Sequence, residues 1–310
     1  MKKILIAGGT GLVGSAVTNL FQLKFEDVTS IGKKDVDLTN EVQTARFIEK
    51  LSPDLVVDSA ATVGGILANK SFPVDFYINN IKIQNNLMQA CHQSGVARFI
   101  FLGSSCIYPK LSKQPIKEEY LHTGKLESTN SAYAIAKISG IELVKSYRKQ
   151  YKKDWISVIP SNIYGPKDNF DLYSSHVLPA LVRKIVDAKE KSLEAIELWG
   201  TGKPKREFLF SSDLAEALLV LNEKYHDEEP INVGTGEEIT IEELAVLISG
   251  IVGYRGQIKW DNSKPDGTPR KVLEISKITE LGWKPKISLE EGISLTVDWY
   301  LNYQLKVIKQ

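Results

Sequence analysis

Lys3-Ile4-Leu5-Ile6-Ala7-Gly8-Gly9-Thr10-Gly11-Leu12-Val13-Gly14 is the stretch that decides the fold. A short apolar run ends in a glycine cluster, and an amphipathic segment opens directly behind it. Gly8, Gly11 and Gly14 make a G-x-x-G-x-x-G pattern. Such glycines permit a tight strand-to-helix turn and let a pyrophosphate approach backbone N–H groups, while the helix N-terminus supplies partial positive charge. A glycine turn alone also serves ordinary strand-to-helix geometry. At the first strand of an alternating pattern it reads as a dinucleotide site.

The alternation is present. Further apolar runs occur at Asp27–Ile31, Leu55–Asp58, Arg98–Leu102 and Trp155–Ile159, with helical stretches at about 12–24, 40–50, 75–94 and 131–151 between them. Near-continuous apolar strands separated by helices predict a Rossmann-type doubly wound parallel sheet with both faces covered. Beyond Pro160 the pattern loosens into Gly- and Pro-rich loops at 164–169, 199–206 and 263–270. Phe208-Leu209-Phe210 with Ser211–Asn222 reads as one more strand–helix unit of the first domain. The expected division is therefore 1–165 plus about 207–232 for the dinucleotide, and a smaller, discontinuous α/β unit of about 166–206 plus 233–310 for substrate. There is no internal repeat or low-complexity tract.

Composition narrows the function classes. The 310 residues carry 39 Lys and Arg against 38 Asp and Glu, so no global field favours nucleic acid or an acidic membrane. No stretch reaches the roughly 18 apolar residues of a membrane span. The start, Met1–Ala7, is too short an apolar run for a signal peptide before glycines intervene. Cys91 and Cys106 cannot form a disulfide framework, and no Cys/His spacing suggests a metal site. The expectation is a reduced, cytoplasmic protein.

The second strand ends Ile31-Gly32-Lys33-Lys34, where an NAD enzyme usually carries an acid for the ribose 2′-hydroxyl. The lysines suit a 2′-phosphate, and therefore NADP(H), or they are an ordinary solvated pair. Asp37-Leu38 falls where the adenine would sit. Tyr133 and Lys137 stand at i and i+4 on one helical face, a spacing that also arises by chance. Carbonyl reduction needs a proton donor at the nascent alkoxide, and a cation beside a phenol makes it a usable acid. Upstream, Gly103-Ser104-Ser105-Cys106 puts hydroxyls just past a buried strand, at the edge where open α/β sheets bind ligands.

Glycine turn, strand-end serine and Tyr-x-x-x-Lys in this order resemble the extended short-chain dehydrogenase/reductases. Further stretches bring the chain close to the GDP-L-fucose synthases: Val63–Ile66, Gly103–Lys110, Tyr133–Lys137, Asn162–Phe170, Ser175–Leu181, Trp199–Phe208 and Lys264–Lys271. Thr10 departs from a basic residue found in some relatives. The resemblance implies that Ser104 binds the substrate carbonyl, Tyr133 donates the proton and Lys137 supports phenol and cofactor. It implies NADP(H) along Gly8, Gly9, Thr10, Gly11, Leu12, Val13, Gly14, Lys33, Lys34, Asp37, Leu38 and Ala60. Leu102, Gly103, Ser105, Pro160, Ser161, Asn162, Ile163 and His176 would complete that wall. Cys106 and His176 are implied as base and acid that invert C3 and C5 beside a C4 ketone, a thiolate and an imidazolium being suited to those roles. By themselves, a lone Cys after a strand is usually packing and a lone His usually structural.

The substrate would be GDP-4-keto-6-deoxy-D-mannose, with GDP-L-fucose as product. Lys184, Trp199, Arg206, Asp266 and Lys271 are the candidate contacts, Arg206 for phosphate and Trp199 for the guanine or the sugar. Rival readings are an enzyme for a related GDP-4-keto sugar such as a colitose-forming one, a 4-reductase with little epimerisation, a UDP-hexose 4-epimerase, and an NADP-sensing regulator. The resemblance also implies a homodimer through 75–94 and 131–151.

Overall fold

In the first strand, β1 (Lys3–Ala7), Leu5 and Ala7 face one apolar layer while Ile4 and Ile6 face another. A strand sends alternate side chains to opposite faces, so a run that is apolar throughout must be covered on both sides. A computed structural model of the chain describes residues 2–264 and 266–308, with side chains through Asn302. Pro265, within the Lys264–Lys271 stretch, lies outside the described residues, as do Met1, Lys309 and Gln310.

The elements follow as α1 (Leu12–Lys24), β2 (Asp27–Ile31), α2 (Glu41–Leu51), β3 (Leu55–Asp58), α3 (Ile66–Ser71), α4 (Pro73–Gln93), β4 (Arg98–Leu102), α5 (Ser131–Tyr151) and β5 (Asp154–Pro160). After them come β6 (Asn162–Tyr164), α6 (Val177–Glu190), β7 (Ala195–Trp199), β8 (Lys205–Arg206), β9 (Phe208–Phe210), α7 (Ser211–Lys224) and β10 (Ile231–Val233). The chain continues through β11 (Ile239–Thr240), α8 (Ile241–Val252), β12 (Gln257–Asp261), β13 (Arg270–Lys271), α9 (Ser276–Glu280) and α10 (Leu289–Ile308).

The main sheet is six-stranded, in the order β10-β5-β4-β3-β1-β2, and every pairing in it is parallel. The chain leaves β1 for β2 on one side and then returns to β3 on the other. That reversal opens a crevice at the carboxyl ends of β1 and β3, where ligands of doubly wound sheets bind. One face packs against α2, α4 and α5, the other against α1 and α7.

The last strand of the main sheet comes from later in the chain than Phe208–Phe210. β9, read from Phe208-Leu209-Phe210, pairs with β6 in a separate two-stranded sheet, and β10 takes the edge beside β5. Alternation explains the choice: Leu209 joins the layer under α7, whereas Phe208 and Phe210 enter a third cluster with Tyr164, Leu178 and Ile248. This third cluster gathers α6, α8 and part of α10 beside the two-stranded β7–β12 and the three-stranded β11–β8–β13. Among the described residues no helix is long and apolar enough to cross a membrane, and no group of three or more His, Cys, Asp or Glu side chains could hold a metal ion.

Candidate active site

Gly8 takes φ +77°, and a Cβ there would lie 2.7 Å from the Ala60 amide nitrogen. A Cβ on Gly14 would meet the Gly8 carbonyl at 2.1 Å. Only glycine lets β1, the turn and α1 close this tightly. Helix α1 then begins at Gly11 without a side-chain cap, leaving its first amides available to an anion.

A cavity of about 600 Å³ runs from this turn. Gly8, Thr10 to Gly14, Lys33, Asp37, Leu38 and Ala60 line one end; Leu102 to Ser105, Tyr133, Lys137, Pro160 to Ile163 and His176 line the other. The glycine cradle, the uncapped helix start and the length of the cavity fit a dinucleotide. Two expected residues are not on its wall. Gly9 sits behind the turn, donating its amide to the Ile31 carbonyl at 2.8 Å, with the Ser30 hydroxyl where its Cβ would be. Lys34 is exposed and outside the cavity, so Lys33 is the member of the pair that faces it. Asp37 also lines the wall, its carboxylate accepting from the Thr39 amide at 3.0 Å and hydroxyl at 2.7 Å.

At the far end, Lys137 is buried on α5 one turn beyond Tyr133, donating to the Leu102 carbonyl at 2.8 Å. Its ammonium stands 4.7 Å from the Phe101 ring centre. Burial pushes Lys137 down, and Asp58 and Cys106 hold it up. Ser104 caps the short 3-10 turn Ser105–Ile107, its hydroxyl accepting from the Cys106 amide at 3.3 Å. Burial pushes the Tyr133 phenol well above its ordinary value, Cys106 adds to this, and a hydrogen bond with Ser104 opposes both. The phenol is therefore firmly protonated, as a proton donor must be.

A second cavity of about 480 Å³ meets the first at Ser104, Tyr133, Asn162, Ile163 and His176. Lys137 lines only the first and Cys106 only the second. All five expected substrate contacts, Lys184, Trp199, Arg206, Asp266 and Lys271, line the second. Trp199 is 46 % exposed, with the ammonium groups of Lys184 and Lys264 at 5.3 and 5.7 Å from its ring centre. Asp266 lines this wall itself, its carboxylate accepting from the Thr201 amide at 2.7 Å and the Thr201 hydroxyl at 2.8 Å.

The charge states differ from the expected thiolate and imidazolium. Burial raises Cys106, against a hydrogen bond with Ser104 and the fields of Lys271 and Lys137. His176 opens into the cleft, yet desolvation by the walls, helped by Lys271, pushes it down to about 4. At neutral pH the site thus holds a thiol and a neutral imidazole. Among the lining residues that reading the sequence left without a role are Lys167 and Asp168 in the first cavity, and Glu127, Thr129 and Asn130 in the second. The first two follow β6 and the other three precede α5, in polar loops whose side-chain aim no periodicity encodes.

The wider likeness agrees with this geometry. GDP-L-fucose synthase 1 from Arabidopsis thaliana is 48 % identical over 96 % of this chain and 93 % of its own. A GDP-L-fucose synthase from Sinorhizobium fredii is 47 % identical over 97 % of this chain and 96 % of its own. A crystal structure of a GDP-L-fucose synthetase from Naegleria fowleri bound to NADP superposes with TM-score 0.89 at 34 % identity, covering 98 % of this chain and 95 % of that one. The profile of the NAD dependent epimerase/dehydratase family matches residues 4–234. That match runs from inside β1 to just past β10 and takes in the whole six-stranded sheet, and the chain belongs to this family.

Proposed function

We propose that this protein is an NADPH-dependent 3,5-epimerase/4-reductase that converts GDP-4-keto-6-deoxy-D-mannose to GDP-L-fucose. The observation that carries the reading is the meeting of two cavities at Ser104, Tyr133 and His176, with Lys137 on one side only and Cys106 on the other. One set of residues then serves reduction, and a second acts on the sugar carbons beside the ketone.

NADPH, when bound, supplies the hydride that reduces C4. Tyr133 gives its proton to the C4 oxygen, which the Ser104 hydroxyl holds in place. Lys137 keeps positive charge beneath the phenol. Cys106 and His176 exchange protons at C3 and C5 while the ketone still acidifies both, starting from the neutral pair. Arg206 and Lys271 hold the diphosphate, and Trp199 offers an open aromatic face to the guanine or the sugar.

Residues 1–165 with 207–232 would hold the cofactor, and 166–206 with 233–310 the GDP-sugar. A homodimer through α4 and α5 is supported by exposed apolar side chains at Val74, Tyr77, Ile78 and Ile135. The free thiols of Cys91 and Cys106 suit a reducing, cytoplasmic setting.

The test is incubation with GDP-4-keto-6-deoxy-D-mannose and NADPH, with the product read by NMR. The L-galacto configuration is expected. A 4-reduced sugar that keeps its D configuration would make the protein a reductase without epimerisation, and no NADPH consumption would reject the substrate.

A further inference from the structure

Strand β3 reads Leu55-Val56-Val57-Asp58, and its fourth residue breaks the apolar rule that the first three obey. Asp58 is 1 % exposed. An unpaired carboxylate is among the costliest groups to bury, so its surroundings must compensate. One oxygen, Oδ1, accepts from the Ala60 amide at 3.1 Å. The other, Oδ2, is closed off from solvent and has no hydrogen-bond partner.

The sheet register brings a cation into the same layer. Asp58 is paired with Phe101 on the neighbouring parallel strand β4, and paired residues of parallel strands send their side chains to the same face. Over that Phe101 ring, 4.7 Å from its centre, stands the Lys137 ammonium, anchored to the Leu102 carbonyl. A buried carboxylate and a buried ammonium thus share one layer beneath the reaction centre. Among the described residues neither has a side chain as hydrogen-bond partner.

We infer that Asp58 is the counter-charge that holds Lys137 as an ammonium at its post beside Leu102, and is a positioning residue for the carbonyl reduction. The inference rests on the proposed function for the part Lys137 plays in catalysis, but not for the pairing itself. Burial pushes the Asp58 carboxyl up to about 6 and Lys137 pulls it back down, while Asp58 is the larger of the two influences that hold Lys137 up. The other titratable groups nearby are all pushed up by burial: the Tyr133 phenol one turn away on α5, the Cys91 thiol on α4 acting with Asp58, and the Cys106 thiol acting on Lys137. Lys153 acts on Cys91 from beyond it. At neutral pH the charge balance beneath the phenol is therefore set by Asp58 and Lys137.

The test uses the full chain labelled with 13C at lysine Cε, without ligand, the Lys137 signal being identified by its loss in Lys137→Arg. Asp58→Asn keeps an acceptor for the Ala60 amide and removes only the charge. It should lower the pKa of Lys137 by about one unit, the usual effect of losing a close opposite charge. In activity assays the alkaline limb of kcat should move down with it, while KM for NADPH stays within about twofold (a shift below ~0.4 kcal/mol). Should Asp58→Asn fail to fold, Lys137→Met offers the reciprocal reading, a rise of the Asp58 carboxyl titration in 13C-aspartate spectra. An unmoved Lys137 titration, or an unmoved Asp58 in the reciprocal variant, overturns the pairing. A moved titration with an unmoved kcat limb overturns the positioning role. If the wild-type protein oxidises no NADPH with any GDP-4-keto sugar, the functional reading fails and the titrations still decide the pair.

Discussion

Arg206 and Lys271 are register partners on the adjacent parallel strands β8 and β13, which brings two cations side by side onto the wall of the second cavity. Burial lowers both, Arg206 to about 10 and Lys271 to about 8, and Arg206 is the second cause for Lys271. Two like charges held together at a cavity wall are a site waiting for an anion. Because Lys271 loses its proton near 8, affinity for a GDP-hexose such as GDP-mannose should fall as pH rises through that value. Calorimetry between pH 7 and 9 should show a loss of about tenfold, the worth of one charge-assisted hydrogen bond. Lys271→Ala should bind weakly at both ends of the range and lose that dependence.

Lys33 lines the cofactor cavity and Lys34 does not. Lys33→Ala should therefore weaken NADPH by ~1–3 kcal/mol and leave NADH nearly unchanged, since only the former carries a 2′-phosphate. Lys34→Ala should affect neither by more than the small amount typical of an exposed charge. Dissociation constants from fluorescence titration of the two cofactors check both statements.

Cys106 reaches only the substrate cavity, whereas Tyr133 stands where both meet. Cys106→Ala should stop solvent deuterium entering C3 and C5 and leave slow reduction of the uninverted ketone. Tyr133→Phe should do the reverse, keeping exchange while lowering reduction by roughly 10²–10⁴-fold. Product stereochemistry and deuterium content by NMR in heavy water separate the two. A doubly deuterated, doubly inverted product at undiminished rate from Cys106→Ala would reduce that residue to packing.

Asp168 stores a pH-dependent cost. Its Oδ2 is closed off without a partner, and burial lifts the carboxyl to about 7, against the Asn169 amide that donates to Oδ1. A carboxyl whose folded pKa is raised costs nothing below its unfolded value near 3.8, and the penalty grows up to about pH 7 and is complete above it. Asp168→Asn should accordingly match the ligand-free wild type at pH 4 and exceed it at pH 8 by ~2–4 kcal/mol. Denaturant unfolding at the two pH values measures the difference.

Reading the sequence alone placed most elements of the first half of the molecule within two residues, though not the short α3. Strands expected at 3–7, 27–31, 55–58 and 98–102 are β1, β2, β3 and β4, and the expected helices are α1, α2, α4 and α5 within two residues. These elements declare themselves locally, through runs apolar enough to be buried on both faces, a glycine turn that no other residue can make, and a Tyr–Lys spacing that one helical turn brings together. The tertiary structure alone decided the rest. β10 has three residues, too few for a pattern, and takes the sheet edge beside β5, while β9 pairs with β6 and sends Phe208 and Phe210 into the third core. Which of Lys33 and Lys34 faces the cavity depends on how a single turn is folded. The pairing of Asp58 with Phe101, whose ring carries the Lys137 ammonium, and that of Arg206 with Lys271 depend on parallel register between distant segments. Such register arises from packing across the whole sheet, and spacing along one chain does not encode it.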